Sequence, residues 1–219
     1  MEKILSTIQA EKVIAIARNV PSAEIVDLAE AILQGGLSLM EVTFDHSRPD
    51  GIKNTLASIE MLNKALDGKM CVGAGTVLTP EQVKQAADAG AKYIISPDMR
   101  EEVICQTKKL GLISIPGAMT PTEIRRAYDT GADLVKLFPA SILGPAYIKS
   151  IRGPLPFIPL LATGGINPGN IGQYLAVGAA GAGVGGNLVS LDLVRKGDFE
   201  AITAVAKEYV AAVQEAGKH

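Results

Sequence analysis

The chain has 219 residues, 47% of them hydrophobic and 20% charged, an ordinary globular balance that allows a sizeable core. A net charge of −2 offers no basic footprint for nucleic acid or an anionic membrane, and no apolar run approaches the roughly 18–20 residues of a membrane span. The charged opening from Met1 to Gln9 is not a secretory signal, and Cys71 and Cys105 stand in no metal-ligand spacing, as expected of reduced thiols in a cytoplasm. Two histidines, His46 and His219, leave little for an imidazole metal site.

In chain order, a helix is expected over 2–11, then short apolar strands over 13–17, 39–44, 70–73, 93–96, 112–115, 134–138, 158–162 and 180–184. Helical patterns fall between them, for example over 22–34, 80–89, 121–130 and 168–177, with a last helix over 198–216. Proline near the start and glycine past the end punctuate several of these. Thr79-Pro80-Glu81 and Thr120-Pro121-Thr122-Glu123 read as capped starts, with a threonine cap and a carboxylate in the first turn. Eight strands separated by helices imply parallel pairing and fit a closed (β/α)₈ TIM barrel, read as one domain over 1–219. An open doubly wound sheet is the alternative.

Two charges interrupt these apolar strands. In Leu134-Val135-Lys136-Leu137-Phe138, alternation puts Leu134, Lys136 and Phe138 on one face. In Leu39-Met40-Glu41-Val42-Thr43-Phe44 it groups Leu39, Glu41 and Thr43. If both faces point into one barrel, an amine and a carboxylate meet in a dry interior. A desolvated lysine has a lowered pKa and attacks carbonyls. The bland readings are a lysine that snorkels to water, or a structural ion pair.

Barrel chemistry sits at the C-terminal strand ends. There the chain delivers Arg18, Glu41 with Thr43, Thr76 in a Gly-Ala-Gly-Thr turn, Ser96-Pro97, Pro116-Gly117, Lys136, Thr163-Gly164-Gly165 and Gly185-Gly186-Asn187. The last two are glycine turns of the kind that lets backbone N–H groups approach a phosphate, and helix N-termini nearby would add positive charge. Either turn alone also occurs without a ligand. Arg18 could fork onto a carboxylate or lie in solvent. Thr76 could bind substrate or cap the next helix. Asp45, His46 and Arg48 read as a polar loop of undecided role.

Glu41-Val42-Thr43-Phe44, Gly73-Ala74-Gly75-Thr76-Val77, Ile95-Ser96-Pro97, Pro116-Gly117, Val135-Lys136-Leu137-Phe138-Pro139-Ala140 and Thr163-Gly164-Gly165-Ile166 occur in this order over nearly the whole length. In them the chain resembles the 2-keto-3-deoxy-6-phosphogluconate (KDPG) and 4-hydroxy-2-oxoglutarate (KHG) aldolase family. The resemblance implies a class I aldolase of carbohydrate metabolism, of the Entner–Doudoroff type, on a (β/α)₈ barrel. It implies a homotrimer that acts on a small 2-oxo acid and needs neither metal nor cofactor. Lys136 would form the Schiff base and Glu41 would transfer protons. Thr76 and Arg18 would hold the pyruvyl carboxylate, with Pro97, Phe138 and Thr163 also at the substrate. The backbones of Gly164, Gly165, Gly185 and Gly186 would hold a distal phosphate. Two departures stand out: Asp45 replaces an arginine that many members carry, and Gly186 replaces a serine. The alternatives to KDPG cleavage are KHG cleavage, or a non-catalytic barrel that binds a phosphorylated ligand.

Overall fold

Nine short strands form one parallel sheet in the computed structural model, which describes residues 2–218. They are β1 (Val13–Ala17), β2 (Leu39–Thr43), β3 (Cys71–Gly75), β4 (Tyr93–Ile95), β5 (Ile113–Ile115), β6 (Gly117–Ala118), β7 (Val135–Leu137), β8 (Leu160–Thr163) and β9 (Gly181–Val184). Their order is β5-β4-β3-β2-β1-β9-β8-β7-β6. The two ends of that order, β5 and β6, are consecutive in the chain and separated by Pro116 alone. The sheet therefore returns to where it began and is a nearly closed barrel rather than an open sheet. Backbone bonds reach across the gap, from Asp133 N to Ser114 O at 2.9 Å and from Lys136 N to Pro116 O at 2.8 Å.

The expected fifth strand thus appears as two pieces. Pro116 lacks an N–H and cannot donate a rung, so the ladder breaks there and the strand changes partner from β4 to β7. The third strand runs on to Gly75 instead of ending at residue 73. The sequence reading stopped it at the glycines, but their small size serves the barrel. A Cβ on Gly73 would lie 2.1 Å from the Tyr93 ring, which fills the interior at that level.

Among the described residues ten helices accompany the sheet: α1 (Glu2–Glu11), α2 (Ile25–Gln34), α3 (Gly51–Ala65), α4 (Pro80–Asp88), α5 (Glu101–Lys109), α6 (Pro121–Asp129), α7 (Ala140–Arg152), α8 (Ile171–Ala176), α9 (Leu191–Lys196) and α10 (Phe199–Ala216). Thr79 caps α4 by accepting from Gln82 N, and Thr120 with Glu123 forms a reciprocal capping box on α6, as the sequence implied. The 168–177 pattern shortens to α8 and the 22–34 pattern to α2, because turns occupy the starts of both. The described residues include no helix long and apolar enough to cross a membrane.

Alternation along the strands sorts the core into two layers. Met40, Val42 and Phe44 face outward into the apolar shell beneath the helices. Leu39, Ile14, Tyr93, Ile113, Ile115, Leu134 and Leu161 face inward. Ile8 of α1 joins that inner cluster, with Ile4 and Leu5 packed against it. Ile14, Leu39, Tyr93, Ile113 and Leu161 lie at or near the strand starts, so α1 plugs the N-terminal end of the barrel.

Candidate active site

Two residues further along the same inward faces, the interior changes from apolar to polar. On β2, Leu39 is followed by Glu41, 1% exposed; before and within β7, Leu134 is followed by Lys136, 5% exposed. Strand geometry makes both placements unavoidable once Leu39 and Leu134 are committed to the inside. Gly75 makes the room Glu41 needs, since a Cβ there would stand 2.7 Å from Glu41 Oε1.

Burial decides the electrostatics of the pair. It pushes the Glu41 pKa up, against the pull of Lys136 and then of Arg18. It pushes the Lys136 pKa down, opposed by Glu41 and assisted by Arg18. Desolvation thus outweighs attraction at both groups, and both lean toward their neutral forms. A structural salt bridge would bring the charges into contact. Among the described residues, no ion pair within 4.0 Å involves either side chain, and Glu41 Oε2 has no hydrogen-bond partner. An unpaired buried acid beside a desolvated amine is costly as architecture and suited to proton transfer and nucleophilic attack.

The other residues frame this pair. The Phe138 ring centroid lies 5.1 Å from Lys136 Nζ, and Phe138 is 40% exposed. Arg18 Nη2 donates to Thr76 Oγ1 at 3.3 Å, which joins the ends of β1 and β3. Thr163 is 4% exposed and its hydroxyl has no partner. Pro97 stands apart. It lines a cleft of about 400 Å³ with Asp98, Gly117, Met119 and Phe138, and neither Lys136 nor Glu41 lines that cleft. A larger cleft outside α6, lined by Arg125 and Arg126, includes none of the buried polar groups.

The glycine turns lie at the ends of β8 and β9. Gly164 and Gly165 have φ of 103° and 73°, which only glycine adopts readily, and a Cβ on Gly165 would meet Ser141 Cβ at 2.6 Å. Gly185 is half-buried beside Ile16, while a Cβ on Gly186 would meet nothing. The helices expected nearby begin a few residues further on. α8 begins only at Ile171 and α9 at Leu191; after Gly185 the chain makes one turn, with Leu188 N and Val189 N donating to the Gly185 carbonyl at 2.8 Å.

Three residues that sequence reasoning left without a role take part. Asn187 Nδ2 donates to Ile166 O at 2.7 Å and ties the two glycine turns together. Thr43, 3% exposed on the Glu41 face, has a hydroxyl without a partner. His46 Nε2 meets the Thr76 carbonyl at 2.9 Å. Alternation was enough to find Thr43; nothing in the sequence signals the other two contacts. Asp45 and Arg48 form a surface turn: Asp45 Oδ1 accepts from Ser47 N and Oγ, which holds its carboxyl below the usual range, and the exposed Arg48 reaches it at 4.0 Å.

This architecture has close relatives. The family model of KDPG and KHG aldolase matches residues 4–205. The 2-dehydro-3-deoxy-6-phosphogalactonate aldolase of Escherichia coli (strain K12) is 34% identical over 202 residues, which span 92% of this chain and 96% of that protein. A structure described as native KDPGal is 33% identical with a TM-score of 0.85, covering 94% of this chain and 96% of the other. The KDPG aldolase of Legionella pneumophila, with pyruvate captured at low pH as a covalent carbinolamine, is 30% identical with a TM-score of 0.83, covering 93% and 96%. A lysine and a glutamate buried unpaired inside a parallel barrel thus coincide with a match over nearly the whole chain, and the protein belongs to the KDPG and KHG aldolase family.

Proposed function

We propose that the chain is a class I aldolase that cleaves a 2-keto-3-deoxy-6-phospho sugar acid, with Lys136 as the nucleophile and Glu41 as the proton carrier. For KDPG the products are pyruvate and glyceraldehyde 3-phosphate. The observation that carries this reading is the desolvated amine of Lys136 beside the unpartnered carboxylate of Glu41.

Lys136 Nζ adds to the C2 ketone, and the carbinolamine loses water to give an iminium. Glu41, directly or through one water, takes the proton of the C4 hydroxyl. The C3–C4 bond breaks, its electron pair moves into an enamine with the iminium, and the C4 carbonyl leaves as an aldehyde. Glu41 then returns the proton to C3. Water adds at C2 and releases pyruvate and the free amine. Arg18 and Thr76 hold the carboxylate, and Phe138 walls the amine on the solvent side. The raised pKa of Glu41 suits a group that must carry a proton between two steps.

Borohydride reduction in the presence of pyruvate tests the chemistry: the expected adduct maps to Lys136, and a label on any other lysine removes the assignment. A binding barrel without catalysis gains no adduct.

Support for the phosphate comes from the two tethered glycine turns and the open space at Gly186. The lack of a hydroxyl there favours a second reading, in which KHG is cleaved to pyruvate and glyoxylate. Gly186→Asp separates them, since a carboxylate at the seat repels a phosphate. On the first reading KM rises about tenfold or more for a phosphorylated substrate and little for an unphosphorylated one. Equal effects on both favour KHG. Steady-state comparison of gluconate-derived, galactonate-derived and hydroxyglutarate-derived substrates then fixes the preference.

The same reading includes a homotrimer in the cytoplasm. Exposed Ile142 (76%), with Phe138 and Met119 (40% each), supports a subunit contact near the mouth, and the free thiols of Cys71 and Cys105 suit a reducing compartment.

A further inference from the structure

The β2–β3 ladder pairs Thr43 with Gly75, and its last backbone rung runs from Phe44 N to Gly75 O at 2.8 Å. Beyond it the two strand ends part. β2 runs into the turn in which Asp45 holds Ser47. β3 runs into Thr76, whose φ is +57°. A β-branched residue rarely adopts that conformation, and it persists only where its surroundings fix it.

The surroundings that fix Thr76 can be named. On the far side, Val77 N donates to Ile95 O at 3.3 Å and Ser96 Oγ donates to Val77 O at 2.8 Å. On the near side, the Thr76 carbonyl meets His46 Nε2 at 2.9 Å. A carbonyl only accepts, so Nε2 carries the hydrogen. The imidazole is itself held, stacked on buried Phe44 with 6.3 Å between centroids and 28° between planes. A side chain thus makes the next link between the two strand ends after the backbone ladder stops.

We infer that His46 is a positioning residue for the substrate carboxylate, acting through the main chain of Thr76. The inference rests on the reading that Thr76 and Arg18 hold that carboxylate. With the link in place, Thr76 stays left-handed and its hydroxyl stays within 3.3 Å of Arg18 Nη2. Without it, the turn relaxes toward negative φ and the hydroxyl leaves the arginine. The imidazole itself touches no reacting atom, so its loss weakens binding and spares the chemical steps.

The test uses pyruvate as probe and three variants: His46→Ala, His46→Gln and Thr76→Val. Half-saturation of borohydride-trapped adduct by pyruvate is read beside KM and kcat for cleavage. His46→Ala should raise the half-saturating pyruvate concentration and KM about fivefold, the scale of one lost hydrogen bond, with kcat within about twofold. His46→Gln, which keeps an N–H donor at a similar reach, should recover most of that loss. A purely structural surface role would move the melting temperature and not this split. If Thr76→Val weakens pyruvate binding and His46→Ala does not, His46 is no positioning residue and the carboxylate reading survives. If neither weakens it, the carboxylate reading falls and the inference falls with it. A His46→Ala variant that loses kcat at constant KM also overturns it.

Discussion

The barrel interior holds two layers built on the same strands, and they differ in kind. Leu39, Leu134 and Leu161 face inward in the lower layer; two residues further along their strands, Glu41, Lys136 and Thr163 face inward in the upper one. Below, every side chain of the cluster has apolar neighbours and α1 shuts out water. Above, Glu41, Thr43 and Thr163 each leave an oxygen atom without a partner. One step of a two-residue repeat separates the part that stabilises the fold from the part that leaves buried polar groups unmet, at a cost in stability that the proposed chemistry would explain. Each layer can be attacked separately.

The largest effect is expected from Lys136→Ala. Turnover should fall on the order of 10⁴-fold or more, and pyruvate trapping should vanish, as when a covalent nucleophile is removed. The fold should survive, because the change deletes a desolvated amine and not a packing group. Trapping with pyruvate, read beside a thermal melt, checks both halves. A variant that no longer folds would mean that the upper layer holds the barrel together.

Glu41→Gln comes next. Turnover should fall about 10²- to 10⁴-fold, the range of general acid–base help, while the imine still forms. Its pH dependence has a definite sign. The Glu41 charge raises the Lys136 pKa, so removing that charge lowers it further and leaves more free amine at low pH. The midpoint of pyruvate trapping should therefore move to lower pH. A midpoint that stays put, or moves up, would show that the two groups do not feel each other.

Leu161→Ala attacks the other layer. It should cost about 2–5 kcal/mol of stability through the cavity it leaves, measurable by denaturant titration, and change kcat little in the protein that remains folded. If it lowers kcat as much as it lowers stability, the layers are not independent.

Much of this division was legible in the sequence. Period-two alternation placed Leu39 with Glu41 and Leu134 with Lys136 on inward faces, and the strand–helix rhythm gave the barrel. Pro116 was visible as a strand end, but that the strand resumes on a new partner follows from closure of the sheet, a long-range condition no local pattern carries. The contacts of His46 with Thr76 and of Asn187 with Ile166 were not legible. Each joins a side chain to a carbonyl 30 or 21 residues away, and only the folded loops decide which carbonyl is near. The same holds for the missing partner of Thr43: burial follows from its strand position, whereas an unmet hydroxyl depends on every neighbour.

The plug made by α1 has a kinetic meaning. With Ile8 seated among the inward residues, α1 closes the N-terminal end among the described residues and leaves the strand ends as the way in. On the proposed aldol cleavage, the substrate enters with its keto end leading and its aldehyde-forming tail trailing. After the bond breaks, the tail lies nearest the exit and is free, while the three-carbon head is still tethered in the depth. The vessel empties in reverse order of filling. Pyruvate, as the last to leave, meets the empty enzyme and competes with substrate in product-inhibition kinetics, whereas the aldehyde does not.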